Sequence, residues 1–209
     1  ILQIKGAMNE EVATCIANIA SIQFKFGDKL QAIELQTKAI VLQERLLGVD
    51  HPHVAFSYST LSMYYHNSGY ISMGFDYMLR ALAILQSCTG DVHPELASIY
   101  LNLGIMYAEV DRLDQSLEAY KNHLEQTSTM YGSDHIQTAS SHQAIALCHY
   151  RRGEYRKALE AQEQAHSVLK KLLSESHVIV TEAKKQLDMY FKLSVSYEKQ
   201  KQVINRPIG

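Results

Sequence analysis

Ten histidines, three cysteines and 22 acidic residues supply the side chains from which a metal or acid–base centre could be built. Four of the histidines, His51, His93, His135 and His177, recur at one constant interval. A zinc ion needs its nitrogens at about 2.0–2.1 Å, whereas packed helices stand about 8–10 Å apart. One histidine per repeat therefore cannot converge on a single ion, and the spacing predicts a turn and helix-start role instead. Cys15, Cys88 and Cys148 lie far apart with no Cys-x-x-Cys pair. They are expected to be small buried side chains in a reducing compartment. The chain has no Gly-x-Ser-x-Gly elbow, phosphate loop, Gly-x-Gly-x-x-Gly or His-Glu-x-x-His. Acid–base chemistry needs groups in mutual hydrogen-bond reach, and the carboxylates are scattered over polar helix faces. The expectation is a protein with no enzymatic activity, cofactor or metal.

The elements that carry these residues follow from composition and period. The 209 residues are 46% apolar, enough for a substantial core, and the formal charge of −2 argues against a strongly basic nucleic-acid module. That balance conceals an asymmetry. Residues 1–150 hold 8 Lys/Arg against 15 Asp/Glu, whereas residues 151–201 hold 11 against 7. A polyanion would meet the basic C-terminal quarter, at Lys170, Lys171, Lys184 and Lys185, although such pairs are also ordinary on solvated helices. No apolar run approaches the roughly 20 residues needed to cross a bilayer, so no membrane insertion is expected. The chain opens on Ile1 without a signal-peptide pattern, as expected of a piece of a longer cytoplasmic protein.

Self-similarity at the interval of the histidines, about 42 residues, pervades the chain. Gly27, Gly69, Asp111 and Gly153 share one column; Gly6, Gly48, Gly90, Gly132 and Ser174 share another. Small residues recur as Ala20, Ser62, Gly104 and Ala146, and as Ala32, Gly74, Ser116 and Ala158. Each unit reads as two helices. The first starts near His-Pro, where proline suits the first turn, and continues through an i, i+3, i+4 stripe such as Ala55, Tyr58, Leu61, Ser62 and Tyr65. Gly69 breaks it, and a second helix runs through Gly74, Met78, Ala81 and Leu85. The predicted organisation is a tail of a preceding unit at 1–8, then repeats at 9–50, 51–92, 93–134 and 135–176. A C-terminal packing or capping helix follows at 177–202, with an irregular tail at 203–209.

These columns resemble the tetratricopeptide repeat, lengthened from its usual length of about 34 residues in the second helix and the connecting turn. Counting from Ala13, Ala55, Ala97 and Ala139, an aliphatic falls seventh (Ile19, Leu61, Leu103, Ile145) and a small residue eighth. The resemblance implies an all-α, right-handed solenoid whose inner groove is lined by first helices. The sixth position should face that groove, at Asn18, Thr60, Asn102 and Ala144. The twelfth and thirteenth add Phe24, Lys25, His66, Asn67, Ala108, Glu109, Tyr150 and Arg151. Asparagine amides can both donate and accept, so they can pair with the backbone of an extended peptide. Proteins or linear peptides are therefore the expected partners.

A lengthened repeat with Gly-x-x-His-Pro between units also resembles two narrower families, the kinesin light chains and the clustered mitochondria (Clu) proteins. The stretch from Lys38 to Pro52 is similar to the Clu pattern, as are His93-Pro94-Glu95-Leu96-Ala97 and Val110 to Leu117. Asp111 at the turn position departs from the kinesin light chain pattern, and the Asn column is broken by Thr60 and Ala144. The Clu resemblance implies a large cytosolic parent needed for mitochondrial distribution, which binds messenger RNA and associates with the translation machinery. The kinesin light chain resemblance implies a cargo adaptor that captures short linear peptides.

Overall fold

The structure, a computed structural model, describes residues 9–88, 90 and 92–204. Among these there are nine helices and no strand. The first helices of successive pairs are α1 (Glu10–Phe26), α3 (Pro52–Asn67), α5 (Pro94–Glu109) and α7 (Ile136–Arg151), and α9 (Val178–Ile204) closes the series. Their starts keep the constant interval of the sequence columns, so α9 occupies the register of a first helix. The second helices are α2 (Lys29–Leu47), α4 (Ile71–Cys88), α6 (Leu113–Tyr131) and α8 (Tyr155–Leu172), at the same interval. The segments expected at 1–8 and, from 205 on, in the C-terminal tail lie outside the described residues.

The chain divides into two units, residues 1–99 and 100–209, with α5 contributing to both. In the first, α1 packs on α2, α2 on α3 and α3 on α4; in the second, α6 packs on α7, α7 on α8 and α8 on α9. Core residues fall where the helical stripes predict. Ala13, Ala20, Leu61, Met78 and Leu85 are buried in the first unit, and Met106, Ala146, Ala165 and Leu169 in the second. α9 joins its unit through Val180 and Ala183, packed with Ala139, Val168 and Leu169, and through Tyr190, packed with Ala146 and Ala158.

Close approach of the two helices in a pair rests on the two small columns. Outer repeats pair Ala20 with Ala32 and Ala146 with Ala158, all buried. The central repeats instead pair Ser with Gly, in opposite order. Ser62 Oγ on α3 donates to the Gly74 carbonyl on α4 at 2.6 Å, and Ser116 Oγ on α6 donates to the Gly104 carbonyl on α5 at 2.8 Å. An Ala–Ala pair and a Ser–Gly pair contain the same number of side-chain heavy atoms, so the helices keep their spacing. The serine hydroxyl is satisfied by the backbone that the missing Cβ exposes. Such a bond adds about 0.5–1.5 kcal/mol net.

Turn chemistry follows the glycine columns. Gly27, Gly69 and Gly153 take φ of 95°, 88° and 74° between the helices of a pair. Asp111 takes the same position at φ 60°, the one non-glycine residue with positive φ among those described. Aspartate tolerates this left-handed region better than most side chains, and Arg151 Nη2 bonds its carboxylate at 3.1 Å. The cysteine expectation holds only for Cys148, which is buried and donates to the Leu113 carbonyl at 3.2 Å. Cys15 and Cys88 are exposed, and the Cys88 thiol donates to the Asp50 carbonyl at 2.9 Å.

A Cβ added at Gly104 would stand 2.3 Å from the Tyr120 ring. Gly104→Ala should therefore destabilise the chain by about 1–3 kcal/mol, despite alanine's better helix propensity. Combining it with Tyr120→Met, the residue that Met78 places in that column one repeat earlier, should restore most of the loss. Urea unfolding midpoints of the two variants measure this.

Candidate functional site

The periodic histidines are helix caps. His51, His93, His135 and His177 each present Nδ1 to the backbone N–H two residues ahead, at 3.2, 3.2, 3.1 and 3.3 Å. The first N–H groups of a helix have no partner within it, and a side-chain acceptor at the cap satisfies one. Asn9 stands one period before His51, and its Oδ1 accepts from Glu11 N at 3.2 Å in the same way. The column is thus an acceptor column of five, and reading it as histidine alone misses Asn9. At His51, His135 and His177, accepting through Nδ1 leaves the imidazole proton on Nε2, whereas His93 Nδ1 also faces the Glu95 carboxylate.

The residues expected to line a groove separate into two sets. Asn18 is exposed on α1, and Asn102 is half-buried on α5. Thr60 is half-buried and donates back to the Phe56 carbonyl at 3.1 Å. At the twelfth and thirteenth positions structure takes precedence. His66 is 5% exposed, which corrects its assignment as a groove residue. It packs edge-on to Phe75 at 6.4 Å between ring centroids and lies beneath Gly74, whose missing Cβ leaves it room. Phe24 is stacked on Tyr64 at 4.3 Å. Tyr150 packs against Tyr155 and Tyr190, with centroids at 6.0 and 5.3 Å. Arg151 reaches back to the Ala108 carbonyl at 2.7 Å as well as to Asp111. Lys25 and Asn67 are exposed, and the Asn67 carbonyl accepts from Lys29 Nζ at 2.6 Å.

The basic candidates are largely matched by acids. Lys170 pairs with Glu175 at 2.5 Å, Lys171 with Asp134 at 2.9 Å and Lys185 with Glu182 at 3.6 Å. The hydrogen bond from Lys170 lowers the Glu175 carboxyl below its ordinary range, with the charges of Lys170 and, to a smaller extent, Lys184 acting in the same direction. These are exposed pairs, each worth little to stability, but they set a carboxylate beside three of the four ammonium groups that an incoming phosphate would meet.

A cavity of about 320 Å³ opens instead on the first helices of the first unit. Glu10, Thr14, Ala17 and Asn18 line it from α1, spaced so that they share one helix face. His53, Phe56 and Ser57 line it from α3, Glu95 from the start of α5, and Gln43 from α2. His53 Nδ1 lies 3.2 Å from Glu10 Oε1. Of these, the sixth-position rule identifies Asn18 alone.

A second polar constellation sits on α2, α3 and α4. Tyr58 donates its hydroxyl to Glu44 at 2.5 Å, and Arg80 lies 4.6 Å over the Tyr58 ring while approaching Glu44 at 3.5 Å. Tyr77 stacks between Tyr58 and Tyr65 at 5.7 and 5.3 Å. Burial first, and then the Glu44 carboxylate, push the Tyr58 hydroxyl up to about 12. A phenol held neutral this firmly acts as a hydrogen-bond donor that anchors the helix junction. It does not act as an acid or base near neutral pH.

With this geometry in place, the protein's class is defined. Two family models, each described as a tetratricopeptide repeat, match residues 12–53 and 95–171. The chain is a tetratricopeptide-repeat solenoid. Its sequence is similar to a stretch of the clustered mitochondria proteins: 28% identical over 194 residues to the Xenopus tropicalis homolog, covering 93% of this chain and 15% of that protein. The Homo sapiens homolog is 27% identical over the same share. Protein clueless of Drosophila willistoni is 33% identical over 172 residues, 82% of this chain and 12% of its own length. The chain thus spans about 12–15% of these relatives. Among solved structures, BtubC from P. vanneervenii superposes with a TM-score of 0.79 at 18% identity, covering 94% of this chain and 78% of that one. The nearly identical, TPR-like repeats ascribed to a Podosopora anserina kinesin light chain also reach 0.79, at 17% identity, covering 94% and 93%. Among the described residues no helix is long and apolar enough to cross a membrane.

The capping role predicts a simple hierarchy at one column. His135→Ala should cost about 1 kcal/mol, whereas His135→Asn should cost a few tenths at most, because asparagine is among the best cap acceptors and Asn9 already serves that way. Thermal unfolding of the two variants, followed by circular dichroism, measures the difference.

Proposed function

We propose that this chain is a non-catalytic docking arm of a cytoplasmic protein of the clustered mitochondria kind, and that it holds an extended peptide of a partner protein against its first helices. The cavity on α1, α3 and the start of α5 carries this reading. It combines an exposed asparagine amide with an exposed aromatic ring, Phe56, on the first helices of successive pairs. An amide beside an apolar wall suits a segment whose backbone supplies hydrogen bonds and whose side chains supply contact area. Service to mitochondrial distribution follows from the likeness to clustered mitochondria proteins. Messenger-RNA binding is assigned to other parts of the parent, because Lys170, Lys171 and Lys185 are already paired with carboxylates.

Selection of a random heptapeptide display library on the chain, with the Asn18→Ala/Phe56→Ala variant as counter-target, tests the docking surface. Enriched peptides should lose at least about tenfold in affinity on the variant, or about 1.4 kcal/mol. Equal recovery on both, or no enrichment on the folded chain, would refute it. Fluorescence anisotropy with single-stranded RNA over a salt series tests the division of labour. Binding should stay within the non-specific range of about 10⁻⁴–10⁻⁶ M and be little changed when Lys170, Lys171, Lys184 and Lys185 are all replaced by alanine. Tight, salt-steep binding that weakens in that variant would place the RNA surface on these repeats.

A further inference from the structure

One residue of the cavity breaks the repeat. The column that holds Gln43 holds Leu85, Thr127 and Leu169 in the other repeats. Leu85 and Leu169 are 0% and 1% exposed, as core residues should be. Thr127 is also buried, but its hydroxyl donates to the Leu124 carbonyl at 3.1 Å and lies 3.2 Å from Ser141 Oγ. Gln43 is 7% exposed, and its Oε1, like those of Gln36 and Gln162, has no hydrogen-bond partner among the described residues. What sets Gln43 apart is that it borders a cavity. A buried, unsatisfied carbonyl costs about 1–3 kcal/mol, so the repeat itself would be better served by leucine. Rule-breaking residues of this kind concentrate where a protein meets something else.

What would satisfy Gln43 is legible from its surroundings. The cavity it borders carries two carboxylates, each beside a histidine Nδ1, with Glu10 facing His53 at 3.2 Å and Glu95 facing His93. Among the described residues no lysine or arginine lines it. Asn18 adds a second amide oxygen, and Phe56, 59% exposed, adds a flat apolar face. A volume of about 320 Å³ is at the small end for a ligand pocket, room for one side chain rather than a cofactor. We propose that this cavity is a pocket for a guanidinium group, the arginine side chain of an extended peptide. Gln43 and Asn18 serve as its acceptors, Glu10 and Glu95 as its counter-charges and the Phe56 ring as its stacking wall. A guanidinium has five N–H donors in a planar fork, so it can address several acceptors at once, and it packs favourably over an aromatic face. An ammonium offers three donors on a point charge and no plane to stack. Rotation of the Gln43 amide about its last torsion exchanges oxygen and nitrogen, so presenting the carbonyl to the guest requires no change in the helix. The inference rests on the docking reading and names the side chain that the groove selects.

The test is a nuclear magnetic resonance titration of the ¹⁵N-labelled chain with an alternating alanine–serine heptapeptide bearing a central arginine, beside its lysine, citrulline and glutamate counterparts. The arginine peptide should shift the side-chain amide signals of Gln43 and Asn18 and bind at least about tenfold more tightly than the citrulline and glutamate peptides. Lysine should fall between them. Gln43→Leu, which restores the residue of the second and fourth repeats, should keep or raise the thermal midpoint while abolishing the arginine preference. Should that variant fail to fold, Glu10→Gln/Glu95→Gln, which alters only partly exposed carboxylates, must weaken the arginine peptide by a similar factor. Equal binding of all four peptides, shifts confined to other residues, or an undiminished arginine preference in the variants would overturn the pocket. Groove docking itself would survive that result if library peptides without arginine still distinguish the chain from Asn18→Ala/Phe56→Ala.

Discussion

Within each helix pair, everything depends on how closely two backbones can approach at the small columns. The apolar stripes that bury Leu61, Met78, Met106 and Leu169 can meet only if nothing large stands between them where the helices cross. Ala20 against Ala32 meets that requirement with two methyl groups. Ser62 against Gly74, and Gly104 against Ser116, meet it by shifting one heavy atom across the junction and turning it into a hydroxyl that bonds the glycine carbonyl. Close packing then propagates outward. Tyr120 lies where a Cβ at position 104 would project, and His66 is buried where a Cβ at position 74 would press. Two residues whose types suit an open groove or a reactive site are therefore fillers of space that a glycine leaves free.

The same economy governs the polar residues. A helix start needs an acceptor, and the acceptor column supplies one at every first helix, as asparagine once and as histidine four times. Those bonds occupy the Nδ1 atoms and orient the rings, so the most regular chemical feature of the sequence is spent on ending and restarting helices. Arg151 is spent likewise, on the Ala108 carbonyl and on Asp111, the residue that replaces a turn glycine. Asp111 holds a left-handed conformation that costs most side chains about 1–2 kcal/mol, and Arg151 ties the turn down from the next repeat.

Column spacing made the helix pairs legible because it repeats a physical requirement, close approach followed by a tight turn, at a constant interval. The helix starts could be read from His-Pro for the same reason. The groove was less legible. Asn18 at the sixth position is exposed, whereas at the twelfth and thirteenth His66 is buried, Phe24 is stacked on Tyr64 and Arg151 bonds the Ala108 carbonyl, because a position rule carries no information on what packs beside it. Nor could composition show that Lys170 and Lys171 stand next to Glu175 and Asp134, since one pairing spans a turn and the other joins segments far apart in the sequence. Gln43 was present in the alignment of the repeats with one another, as a polar residue under two leucines. Its meaning needed the structure, which places it at the wall of a cavity.

Gln43 also shows why regularity and function pull apart in such a chain. A solenoid gains stability by repeating the same buried contacts, so any repeat that is to recognise something must depart from the consensus and lose part of that stability. The departure is tolerable because the loss is local. Ala39 and Ile40 on the same helix stay buried, and Gln36 keeps a bond from its amide nitrogen to the Ser57 carbonyl across to α3 at 3.2 Å. That bond recurs three repeats later from Gln162 to the Ala183 carbonyl at 2.9 Å, which marks it as part of the scaffold. Gln36 and Gln43 are thus two buried glutamines on one helix, alike in an unpartnered Oε1 and different in their surroundings. One reproduces a contact that the fold uses twice. The other replaces a leucine and faces a cavity rimmed by acid, and a buried amide in that position gains most from a partner that the chain itself does not supply.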